Sequence, residues 1–227
     1  MSSSSVAVAA PVEHMVLIKL RPEAVTSGAA AAMVSALQAL PTLVPGVSYL
    51  HAGPVLRLRS PAADALGPTH PLHSRYATKA DLAAYAAHPA HVAAVQAHIV
   101  PNALDTTAVD WVNAAESPSP VGPCAAVRLT LAKVKEGADV GQVVEKVAKA
   151  SKDAGAGVAR VSFGENFSPA RAKGFQFVMV AVFDSVEELE AVEADGKVEE
   201  AKAALRPMLD EVMVLDFVVD DAAAASL

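Results

Sequence analysis

The feature that most constrains this chain is that it runs through one order of elements twice. The first run opens on the strand-like "VEHMVLIKL" from Val12, the second on "CAAVRLTL" from Cys124. A helical pattern follows in each (23–40 and 139–152), then a strand pattern (47–56 and 158–165). A third strand leads into a second helix in "HSRYATKADLAAY" from His73 and in "VAVFDSVEELEAV" from Val180. More helical sequence comes next (90–104 and 197–209), and each run ends on an alternating strand, "TTAVDWV" and "EVMVLDFVV". Between them lies "NAAESPSPVGP", whose prolines, serines and glycine suit an exposed linker. The expected division is a loose tail over 1–11, a first repeat over 12–112, a linker over 113–123, a second repeat over 124–219, and a flexible tail over 220–227.

The order β-α-β-β-α-β, taken twice, is the ferredoxin-like arrangement, so the fold class is α+β. A four-stranded sheet with helices on one face leaves its other face bare. Two such sheets on one chain can cover each other, so the repeats are expected to pack sheet to sheet as an intramolecular α/β barrel. The space between the sheets is the expected ligand cavity. A monomer with an internal pseudo-two-fold axis and a homodimer of such chains both fit this plan.

Composition removes several partners. The net charge is −7, no basic stripe is present, and aromatic residues make up 4%, so no nucleic acid is expected. The stretch 24–56 lacks Asp, Glu, Lys and Arg, but Pro41 and Pro45 break it; it reads as a buried helix and a strand, with no membrane span. Cys124 is the single cysteine, so the chain has neither an internal disulfide nor a cysteine cluster for zinc, as suits a reducing compartment. Walker, GxGxxG and GxSxG motifs are absent, and no cofactor is expected.

All seven histidines fall in the first repeat. The densest stretch is "YAAHPAHV", residues 85–92. Pro89 suits the first position of a helix. His88 would then cap that helix, and His91, three residues on, shares its face. Tyr85 ends the preceding helix and can turn to the same side. Two readings stay open: imidazoles serving structure, or a site built on Tyr85 and His91. As metal ligands, His88 and His91 lack a carboxylate or thiol nearby in sequence, and His14 or His70 would join them only through the fold; no metal is expected. His51, His73 and His98 read as surface or cavity-rim residues. Setting Phe183 against Tyr76 places Val192 opposite Tyr85, Asp195 opposite His88, Val198 opposite His91 and Phe177 opposite His70; on the first strands Ala125 falls opposite His14. The second repeat is therefore expected to have lost its polar site and to serve as lid and scaffold.

"VEHMVLIKL" with its early His14, "TH" at 69–70 and "YAAHPAHV" resemble the motifs of the plant stress-responsive A/B barrel (dimeric α/β-barrel) family; "AVDWV" is a looser match. The resemblance covers the first repeat by motif and the second by pattern. It implies a small, mostly apolar ligand, such as a polyketide, a fatty-acid derivative or a phenolic. By similarity to a small polyketide cyclase of the family it implies catalytic roles for His91 and Tyr85, with His14, His70 and His88 binding the ligand. The implied chemistry is a cofactor-free proton abstraction next to a carbonyl; the alternative is a non-catalytic, stress-associated ligand-binding or structural protein. The chain departs from the pattern in being a tandem fusion and in carrying "RLRSPAADALGPTHPLH" between its second and third strands, an insertion expected to reshape the cavity mouth. The final Ala-Ser-Leu resembles a C-terminal peroxisomal signal, so a peroxisomal location is expected, with the cytoplasm as the alternative.

Overall fold

The computed structural model describes residues 10–115, 121–122, 125–154 and 160–219. The expected C-terminal tail with its Ala-Ser-Leu end, most of the N-terminal tail, most of the linker, and Cys124 lie outside the described residues. Repeat one runs β1 (Val12–Leu20), α1 (Pro22–Thr26), α2 (Ala29–Gln38), α3 (Leu40–Leu43), β2 (Val47–Ala52), β3 (Val55–Leu58), α4 (Pro61–Leu66), β4 (His70–Tyr76), α5 (Lys79–Ala87), α6 (Pro89–Ala94) and β5 (Ala103–Val112). Repeat two runs β6 (Ala126–Val134), α7 (Val140–Ala154), β7 (Arg160–Glu165), β8 (Phe177–Phe183), α8 (Val186–Ala191), α9 (Gly196–Leu205) and β9 (Leu209–Val218). No described helix is long and apolar enough to cross a membrane.

The two sheets are antiparallel and have the ferredoxin-like order twice: β2-β4-β1-β5, and β9-β6-β8-β7 with β3 added beside β9. Their inner faces pack on each other. Met15, Leu17, Val109 and Trp111 of the first meet Val127, Leu129, Leu131 and Phe217 of the second in one buried cluster. Sheet-to-sheet packing of tandem α+β repeats is therefore the architecture, as the sequence implies.

Three elements differ from the sequence reading, each for a local reason. The helix expected over 23–40 breaks at Gly28, whose φ of +79° is open to glycine at little cost. The strand expected over 47–56 splits at Gly53–Pro54, and its second half leaves the first sheet for the second. The helix expected over 90–104 ends in a wide turn at Val95–Ile99, and β5 has begun by Ala103.

The insertion after β2 contributes Leu72 to the lining of a cavity. It forms β3 and α4, which tie repeat one to repeat two. Ser60 caps α4 through Ala63 N–H at 3.2 Å and also accepts Val214 N–H of β9 at 3.0 Å. Ala63 is fully buried in the inter-sheet core. The opposite seam is closed by β5 and β7, where Trp111 bridges to Asn166 and Ala114 N–H donates to the Phe163 carbonyl at 2.8 Å. Pro11 and Asn113, placed by the sequence reading in tail and linker, belong to this seam, with Asn113 N–H donating to Pro11 O at 2.9 Å.

Gly164 sets how closely the seam can shut. A Cβ there would lie 2.5 Å from the Val112 carbonyl oxygen. Gly164→Ala is expected to push β7 off β5 and to destabilise the fold by about 1–3 kcal/mol. Thermal melting of the variant checks this; an unchanged melting temperature would show that the seam is loose.

Candidate functional site

A cavity of about 510 Å³ lies under the helices of repeat one, not between the sheets. The reason lies in side-chain volume. Between the sheets, large apolar residues interdigitate. Over the outer face of the first sheet, α5 and α6 present many alanines, and Ala83 and Ala86 at the cavity edge leave space that longer side chains would fill.

Strand register decides what faces this space. On β1, alternation sends Val12, His14, Val16, Ile18 and Leu20 to the helices and Glu13, Met15 and Leu17 to the other sheet. His14 stands beside Asp110 of β5 and beside Ser74 of β4. Its Nδ1–H donates to Asp110 Oδ1 at 2.5 Å, both side chains being 8% exposed. Burial works to raise the Asp110 pKa, but the hydrogen bond and charge of His14, with help from Ser168 and Arg171, hold it below the usual carboxylate value.

Tyr85 arrives on α5, which Thr78 starts by accepting Asp81 N–H at 3.1 Å. The Tyr85 ring centroid lies 4.5 Å from that of His91, 5.3 Å from Tyr76 and 6.5 Å from His14. Its hydroxyl is buried and makes no well-formed hydrogen bond among the described residues, and burial pushes its pKa up to about 12. His91 donates its Nδ1–H to the Ala86 carbonyl at 3.0 Å, so in the neutral ring Nε2 carries the lone pair. Burial lowers the His91 pKa; the Ala86 carbonyl opposes this, and the charges of His14 and Arg171 add to the lowering.

Of the five residues singled out from sequence, His14, Tyr85 and His91 line the cavity. His88 does not: it is the N-cap of α6, with Nδ1 accepting Ala90 N–H at 3.2 Å and Pro89 in the first helical position. His70 shares the helix-facing side of the sheet but lies opposite Ile18 toward the far end of β4, and its Nδ1 meets Thr69 Oγ1 at 3.0 Å. It is not part of the cavity lining.

His51 and His73 are not surface or rim residues. They are 3% and 0% exposed and point between the sheets. There the His73 Nε2–H donates to Glu13 at 2.7 Å, and Arg75 donates to the same carboxylate at 2.8 and 2.9 Å. Ser162 of repeat two donates to Glu13 at 3.1 Å and accepts the Trp111 indole N–H at 2.9 Å. Burial works to raise the Glu13 pKa, but His73 and Arg75 hold it below the usual value.

The sequence reading missed four contributors. Asp110 is the helix-facing acid of an alternating strand, and that alternation was its only signal. Lys79 sits at the start of α5, its Nζ 3.9 Å above the Phe167 ring. Phe167 and Arg171 come from repeat two and close one side of the cavity. Nothing in the linear sequence points from them to repeat one.

The second repeat has not simply lost its polar groups. Val12 and Ala126 hold the same place in their sheets, pairing with Tyr76 and Val112 in one and with Phe183 and Val218 in the other. His14 therefore matches Arg128, not Ala125, and Asp110 matches Asp216. Arg128 pairs with Asp216 at 2.8 Å, and Arg59, which crosses from repeat one, pairs with it at 2.6 Å. The pairings of His70 with Phe177 and of His88 with Asp195 agree with strand register and with capping, since both His88 and Asp195 are helix N-caps.

The family model for the "Stress responsive A/B Barrel Domain" matches residues 12–113 and again 126–219. A stress-response A/B barrel domain-containing protein of Arabidopsis thaliana is 38% identical over 99% of this chain and 84% of its own length. A second such protein of the same plant is 35% identical over 91% of this chain and 95% of its own. Among solved structures, a proposed monooxygenase of Fusobacterium nucleatum superposes with a TM-score of 0.68 at 11% identity, covering 94% of this chain and 95% of that one. An anthrone oxidase-like protein superposes with a TM-score of 0.65 at 14% identity, covering 93% and 91%. At such identities the structures share the fold.

Proposed function

The chain belongs to the stress-responsive A/B barrel domain family, and from that premise we propose that repeat one binds a small, largely apolar carbonyl compound and catalyses proton abstraction next to the carbonyl. One observation carries this reading: Tyr85 and His91 stand ring to ring, 4.5 Å apart, on the wall of a 510 Å³ cavity otherwise lined mainly by apolar side chains. The Ala86 carbonyl fixes the His91 tautomer, so Nε2 is the atom that takes the proton. Tyr85, kept neutral by burial, is the hydrogen-bond donor to the oxygen on which negative charge develops. The bond broken is C–H, its electron pair delocalises into the adjacent carbonyl, and the proton rests on His91. No cofactor is needed for that step.

The reading is tested by solvent-deuterium exchange into acidic ketones and 1,3-diketones, followed by NMR. His91→Ala is expected to slow exchange by about 10²–10⁴-fold with the fold unchanged. Because burial lowers the His91 pKa, the neutral base persists to pH values below the ordinary 6.5, and the acid limb of the rate profile is expected below that value. Tyr85 adds no alkaline limb until near its raised value of about 12. The apolar lining also suits a non-catalytic carrier. If ligands bind the wild type and His91→Ala equally and no exchange is seen with any of them, the carrier reading replaces the catalytic one.

A further inference from the structure

In repeat two the place that corresponds to the cavity carries a half-exposed, ion-paired carboxylate. Glu193 is held there by Arg128 Nη1 at 2.8 Å and by Arg59 Nη1 at 3.2 Å. Arg128 stands at the His14 position of its sheet, and Arg59 crosses over from the other repeat. Glu193 follows Val192, the counterpart of Tyr85, so its own counterpart in repeat one is Ala86. That residue lines the cavity and ends in a methyl group.

Repeat one keeps groups of the kind that hold the carboxylate in repeat two. His14 stands on the sheet, and Arg171 crosses over from repeat two. Arg171 forms no ion pair or hydrogen bond among the described residues, although its charge acts on both Asp110 and His91. Asp110 is already engaged by His14. Lys79 adds a second positive charge beside Phe167 on the same side. The open site thus has a crossing arginine, as repeat two has, and lacks the carboxylate that pairs with it there.

We infer that the ligand supplies that anion: the cavity takes a carboxylate-bearing, otherwise apolar molecule, its carboxylate held by Arg171 beside His14, where Glu193 stands in repeat two. The inference rests on the cavity being the ligand site and names the class of molecule it selects. A guanidinium offers two parallel N–H groups to a carboxylate, so the contact orients the ligand as well as attracting it. With that end anchored, the apolar body lies against Val16, Ile18, Leu37, Leu82 and Ile99, within reach of Tyr85 and His91.

The test compares octanoate with 1-octanol, two probes sharing an apolar body, by calorimetric titration of the full chain at neutral pH. Octanoate is expected to bind about tenfold more tightly than octanol. Arg171→Gln is expected to bring the two within about twofold. Arg160→Gln, which removes an equal charge from the remote pair with Asp184, is expected to leave the preference intact. Ile99→Trp fills the apolar end and is expected to abolish binding of both probes. Equal binding of the two probes to the wild type, or a preference that survives Arg171→Gln, overturns the carboxylate anchor and leaves the cavity as a ligand site. Failure of both probes to bind, or binding untouched by Ile99→Trp, overturns the cavity reading and the anchor with it.

Discussion

Glu13→Val is expected to destabilise the folded chain by about 3–5 kcal/mol, because it removes one partner of a buried ionic cluster and strands the others. The Glu13 carboxylate is 0% exposed and receives hydrogen bonds from His73, Arg75 and Ser162. The second repeat shows the alternative packing of the same three positions. Strand register sets Glu13 against Val127, His73 against Val180 and Arg75 against Val182. The triple change Glu13→Val, His73→Val, Arg75→Val is therefore expected to recover most of the loss, since an apolar cluster can replace a buried ionic one at little net cost. Urea unfolding of the single and triple variants measures both; a harmless Glu13→Val would mean the cluster is better hydrated than its burial implies. The folded-state pKa of Glu13 lies below 4.5, so its stabilising share is present above that value and is lost as pH falls through the lower, folded value. The wild type is expected to lose this share in acid, whereas the triple variant has none to lose.

Residues 1–116 expressed alone are expected to aggregate or to form a homodimer. The inner face of the first sheet carries Met15, Leu17, Val109 and Trp111, all 2% exposed or less in the whole chain, and separation would bare them together. β3 would lose β9, and the cavity would lose the Phe167–Arg171 wall. A homodimer would cover the apolar residues but set two Glu13 clusters facing each other, each without its Ser162 donor. Sedimentation and denaturation decide the outcome; a soluble monomer that unfolds cooperatively would contradict the interdependence of the two sheets.

The architecture was legible because the order of elements repeats and each order implies a bare sheet face. The side of the sheet that holds the cavity was not. Almost every residue of β1 and β6 is buried, so neither strand alternates between apolar and polar, and period two gives no direction. The polar residues of β1 also fall on both faces, His14 outward and Glu13 inward. The same lack of pattern in "CAAVRLTL" displaced the match of His14 by three residues, from Arg128 to Ala125. In the helices the motif carried further. "YAAHPAHV" placed Pro89 and the His88 cap correctly, because capping is local chemistry. Arg171 could not be foreseen, since its nearness to Asp110 depends on how two separate repeats meet.

Covalent fusion changes what a single substitution can do to this barrel. In a symmetric pair of identical subunits, each residue appears twice, and any trade between binding and rigidity is made in both halves at once. Here the arginine that crosses into repeat one and the arginine that crosses into repeat two are separate codons. One half carries an ionic plug in Arg59, Arg128, Asp216 and the half-exposed Glu193, while the other keeps its counterpart space open. The plugged half can hold the barrel's shape while the open half accumulates changes in its walls.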